Sequence, residues 1–98
     1  MDEEIKIAFE LAYLPVAHAR NRLNGQDFIG VAVPIMDYVR SQTTDSAKIR
    51  KAAKTMVLVF NDMLNPKLPN EECENMVDLL CNNGELIRMI AKRNQEEV

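Results

Sequence analysis

A stripe of apolar residues in the middle of the chain leaves few folds open to it. Ile49, Ala52, Ala53, Met56, Phe60, Met63 and Leu64 recur at spacings of three and four. At about 100° per residue they all fall on one face of a helix. The polar stretch Ser41 to Asp45 precedes them and is rich in side chains that cap helices, so Thr44 or Asp45 is expected to cap a helix running from about Ser46 to Leu64. Arg50, Lys51 and Lys54 lie on its opposite side, with Lys48 nearby and Leu58 among them.

The flanking segments read the same way. From Glu3 to Asn24, the residues Ile5, Phe9, Ala12, Val16, Ala19 and Leu23 form a stripe that continues across Pro15. Proline removes a helical hydrogen bond and crowds the preceding turn, so one helix kinked near Pro15, or two shorter helices, is expected. Asn24-Gly25 is a suitable stop, because glycine tolerates the left-handed conformation. A second helix is expected from Asp27, as N-cap, to about Ser41, with Phe28, Ala32, Ile35, Met36 and Val39 inward. Ile29, Val31 and Val33 make it apolar nearly all round, which also suits a strand. Pro34 is worse placed in a strand than in a buried helix, so helix is the reading here. The loop 65–70 carries Pro66 and Pro69, which end one helix and restrain entry to the next. Asn70 should cap a fourth helix, with Glu71, Glu72 and Glu74 in its first turn as the helix dipole favours, and with Cys73, Met76, Val77 and Leu80 facing inward. A break at Asn82-Asn83-Gly84 leaves a short fifth helix bearing Leu86, Ile87, Met89 and Ile90, then a frayed tail from Asn94.

The expected fold is therefore all-α: one domain over 1–98, a bundle of four to five helices, the first kinked at Pro15, with antiparallel neighbours across short connections. Hydrophobic residues make up 47% of the 98 residues and charged ones 28%, which is ample for a folded core. Aromatics are only 5%, with no Trp, so Leu, Ile, Val, Met and Ala are expected to fill that core. No internal repeat is evident. One helix pair has the pattern of a HEAT-type hairpin, but a solenoid needs about three repeats, so no family is assigned.

Composition narrows function by exclusion. A net charge of −3 and a pI near 5.1 make this a small acidic protein, unlike a general binder of nucleic acid or membrane surface. The acidic start Asp2-Glu3-Glu4 is unlike a signal peptide, and the apolar run 28–36 is too short to cross a bilayer. Cys73 and Cys81 would lie about 12 Å apart along one helix, beyond the roughly 7 Å between Cα atoms that a disulfide tolerates. Two free thiols suit a reducing compartment, so a cytoplasmic location is expected.

Chemistry is hard to place on this chain. The single histidine, His18, sits beside the apolar stripe of the first helix, and only a tertiary contact would pair it with Cys73 or Cys81. One histidine and two distant cysteines lack zinc-site spacing, and the acidic run Glu71, Glu72, Glu74, Asp78 lacks the alternating ligands and central glycine of a calcium loop. Three glycines form no phosphate-binding loop. No catalytic residue, metal or cofactor is expected, and no enzyme activity.

The expectation is a non-catalytic interaction module: a regulator, adaptor or inhibitor whose partner is another protein. The candidate contact residues are Lys48, Arg50, Lys51, Lys54 and Leu58. A homodimer is a further option, through Phe28, Ile29 and Val33 on the nearly all-apolar second helix. The alternative is a DNA-binding regulator that offers the basic start of the third helix to the major groove. Against it, the turn from Ser41 to Asp45 is long for a helix-turn-helix and lacks glycine. The basic set also reads as a solvated face complementing the acidic fourth helix.

Overall fold

In a computed structural model of the chain, residues 2–21 and 23–82 are described, and they form four helices: α1 (Asp2–Arg20), α2 (Gly25–Gln42), α3 (Ser46–Met63) and α4 (Asn70–Asn82). The expected fifth helix and frayed tail lie outside the described residues. The fold of the described residues is all-helical, and 28–36 is helix, not strand. α1 passes through Pro15 as one helix. α1, α2 and α3 pack against one another, while α4 packs on α3 and α2 and does not touch α1.

The caps explain most of the boundaries. Asp45 accepts from the Ala47 amide at 3.0 Å and starts α3, as the sequence suggested. α2 starts earlier than expected. Asn24, not Asp27, is its N-cap, accepting from the amides of Gln26 at 2.7 Å and Asp27 at 3.3 Å. Gly25 is then the first helical residue, and the left-handed residue ending α1 is Asn21, at φ 55°. Asparagine tolerates that region better than most residues. Between α3 and α4, the Asn61 side chain accepts from the Leu68 amide at 2.7 Å and fixes the proline loop, in which the Asn65–Pro66 bond is cis.

The core face of α1 is rotated from the expected stripe. Ile5, Phe9, Tyr13 and Ala17 are buried at steps of four, whereas Ala12 and Ala19 are exposed and Val16 is half-buried. The centre of the core is aromatic, contrary to the expectation drawn from composition. Phe9 stacks on Tyr13 with ring centroids 5.2 Å apart, and Phe28 stacks on Phe60 at 4.8 Å. Edge contacts Phe9–Phe28 at 5.4 Å and Tyr13–Phe60 at 5.6 Å close the ring of four. A composition poor in aromatics still builds such a centre when α1, α2 and α3 each send theirs to one point. Met36, Val39, Met56 and Val57 extend the core, and Cys73, Val77 and Leu80 bring α4 onto it.

One polar knot holds the α1–α2 corner. Asp27 is 1% exposed and pairs with Arg20 at 3.0 Å. Beside it, the buried Tyr13 hydroxyl accepts from the Asn24 amide at 3.2 Å. Burial, above all, pushes the Tyr13 phenol above its ordinary 10.0, and the Asp27 charge adds to this, against the hydrogen bond from Asn24.

Candidate interaction surface

The candidate contact residues all lie on α3, where the helical period places them opposite its buried face. Lys48, Arg50, Lys51, Lys54 and Leu58 are exposed, Leu58 at 47%. Their electrostatics differ from a plain basic patch. The Arg50 guanidinium reaches across to α4 and forks between Asp78 at 2.7 Å and Glu74 at 2.8 Å. The hydrogen bond to Asp78, first, and that to Glu74 push the Arg50 pKa further up. Its charge is thus spent within the chain, as a face complementing the acidic fourth helix would do. Glu74 and Asp78 stand one turn apart on α4, which matches the two ends of a guanidinium fork.

Beyond Arg50 the α3–α4 seam opens into a shallow groove of about 310 Å³. Lys54 and Leu58 line it from α3, facing Asn70 and Glu74 on α4, with Asn61 at one end. The groove therefore offers one cation, one carboxylate, amide groups and the apolar Leu58 above the buried Val57, Cys73 and Val77. A second groove of about 440 Å³ lies between the start of α1 and the end of α2, lined by Glu4, Ile5, Ala8, Ile35, Tyr38 and Val39 among others. The start of one helix meeting the end of the next shows that α1 and α2 run antiparallel.

The residues expected at a dimer interface separate. Phe28 is fully buried in the aromatic ring and offers nothing to a partner. Its i, i+4 relation to Ala32 put it on the core face. Ile29 and Val33 are half-buried against the same core. The connection between α2 and α3 is also shorter than expected, residues 43–45 only, because α2 runs on to Gln42.

The candidate chemical groups stay apart. His18 is exposed on α1, and Cys73 and Cys81 are free thiols on α4, the one helix that α1 does not touch. Burial, foremost, pushes the Cys81 thiol above its ordinary 9.0, although Arg50 and Arg40 pull it down. Among the described residues no three His, Cys, Asp or Glu side chains converge on a metal-sized site, and no helix is long and apolar enough to cross a membrane.

Sequence reasoning missed one surface. Ile7, Leu11 and Leu14 on α1 are 48%, 72% and 50% exposed. Their spacings of four and three were the available signal, masked by the core stripe on the same helix. The chain matches no family model, no curated protein and no solved structure.

Proposed function

We propose that this protein is a non-catalytic interaction module of the cytoplasm, a small regulator, adaptor or inhibitor that binds another protein through the α3–α4 face. The observation that supports this reading most is the make-up of that face. Leu58 stands exposed between Lys54, Glu74 and two asparagines in a shallow groove, the apolar centre and polar rim of a protein contact in miniature. The internal pairing of Arg50 favours a protein partner over a polyanion, since phosphate affinity grows with each cation offered, and four carboxylates of α4 lie alongside. Affinity capture from nuclease-treated lysate of the source cell tests it. A stoichiometric protein should be retained by the wild type and lost with Leu58→Asp and with Lys54→Glu, both folded as judged by circular dichroism. Retention of that protein by both variants overturns the assignment of this face.

The three-residue α2–α3 connection favours a second reading, a helix-turn-helix that offers Lys48, Lys51 and Lys54 to DNA. It requires steeply salt-dependent DNA binding that Lys51→Glu/Lys54→Glu abolishes. Equal DNA binding by that double variant and the wild type ends this reading.

A further inference from the structure

The outer face of α1 carries a second stripe with the spacing of a coiled-coil seam: Glu4, Ile7, Leu11, Leu14 and His18, at steps of three, four, three and four. Every one is exposed. The stripe lies on the side of α1 away from Ile5, Phe9, Tyr13 and Ala17, so the core of the described residues makes no use of it. Leu11, its midpoint, is the most exposed large apolar side chain among the described residues.

The order of residues about Leu11 selects an occupant. Three positions to either side stand Ala8 and Leu14; four to either side, Ile7 and Pro15; seven to either side, Glu4 and His18. A copy of this helix laid antiparallel, with a twofold axis through Leu11, sets small Ala8 against large Leu14, Ile7 against Pro15, and Glu4 against His18 at both ends. The imidazole donates to a carboxylate and adds a positive charge when protonated. A parallel copy would set Glu4 on Glu4 and His18 on His18, like against like.

We propose that this chain self-associates through α1, as an antiparallel twofold pair centred on Leu11 with Glu4 of each copy against His18 of the other. The proposal rests on the same reading, that the chain works through protein contacts, but it uses a different face. An isologous interface of this kind satisfies closed symmetry with one patch. Two crossing helix faces form a small interface, below about 1,200 Å², and so a weak, reversible one. Ile29 and Val33 of α2 have no part in it.

Sedimentation velocity of the full chain, from about 1 to about 500 µM to span weak association, tests the pairing. The wild type should pass from monomer to dimer. Leu11→Asp places two carboxylates on the axis and should weaken association at least about tenfold. His18→Glu should also weaken it, by setting Glu on Glu at both ends. The double variant Glu4→Lys/His18→Glu should restore it. Residues 4 and 18 of one helix are about 21 Å apart, so that rescue arises only between copies. Three results overturn the proposal: a wild type that stays monomeric throughout, association indifferent to Leu11→Asp, or association lost on replacing Ile29 and Val33 instead. A monomeric wild type destabilised by Leu11→Asp would assign the stripe to the chain's own residues 83–98. Capture of a protein partner dependent on Leu58 tests the functional reading separately, and neither result decides the other.

Discussion

Two arginine–carboxylate clusters bridge helices of this bundle, and they differ in almost everything but chemistry. At the α1–α2 corner, Arg20 meets Asp27, whose side chain is 1% exposed. On the α3–α4 face, Arg50 meets Glu74 and Asp78, with all three side chains 44–52% exposed. In the first the carboxylate is enclosed by protein, while Arg20 keeps 19% of its side chain exposed. The second is still solvated and screened by salt. A buried pair contributes little over an apolar substitute, yet it is costly to break by halves, because the remaining charge stays out of water. An exposed pair leaves only a rehydrated partner. Hydrogen-bond length does not reveal this difference, since the exposed contacts are the shorter ones. Burial decides it.

The largest loss should come from the core behind the corner: Phe60→Ala removes a ring that touches both Phe28 and Tyr13, and about 3–5 kcal/mol of unfolding free energy should go with it in urea titrations. Arg20→Ala should follow closely, at about 3 kcal/mol, because it removes the guanidinium 3.0 Å from the buried Asp27 carboxylate. A loss under about 0.5 kcal/mol would put this pair in the same class as the surface one and end the contrast. Tyr13→Phe removes the acceptor of the Asn24 amide and should cost about 1–2 kcal/mol. It carries a pH signature as well. The folded phenol holds its proton above the ordinary 10.0, so above that pH the folded state binds more protons than the unfolded one, and stability falls as pH rises. Unfolding measured between pH 8 and pH 11 should show that decline in the wild type and a shallower one in Tyr13→Phe. Arg50→Ala should be the smallest of all, a shift within error at moderate salt. A shift as large as that of Arg20→Ala would show the exposed fork to be structural.

The same contrast separates what was legible in the sequence from what was not. α3 was readable because its period is clean and Asp45 caps it locally. α4 was readable by period, in Cys73, Val77 and Leu80, but Asn70, the expected cap, is its first helical residue, and the Cys73 amide donates to the Pro69 carbonyl before it. The buried face of α1 is turned by about a sixth of a turn from the expected stripe, because steps of three and four from Phe9 favour Ala12 and Val16, whereas the other helices cover Tyr13 and Ala17. Tyr13 belongs to the core through a hydroxyl that meets Asn24 and a ring that meets Phe60, and both are tertiary facts. Asp27 looked like a cap because its chemistry is a cap's, while Asn24, three residues earlier, served equally and was nearer the turn. The basic face of α3 was legible as a complement to the acidic α4, but local pattern could not single out Glu74 and Asp78, 24 and 28 residues away, as the partners of Arg50. On the candidate surface, exposure of the α3 residues followed from helical period, whereas the neutralised arginine and the groove at Leu58 required the packing of α4.

The way α4 is attached has a consequence for thiol reactivity. Among the described helices it rests on α3 and α2, outside the aromatic ring, with Arg40 donating to its Leu80 carbonyl near the far end. Cys73, on its inner side, is 8% exposed. With the more exposed Cys81 replaced by Ser, a disulfide reagent too bulky for the groove that Cys73 lines should react with that sulfur mainly when the helix lifts away, so the labelling rate divided by the rate for the denatured chain reads the opening equilibrium of one helix. The chain carries its own clock for α4, and the same measurement with a bound partner would report whether that partner clamps the helix shut.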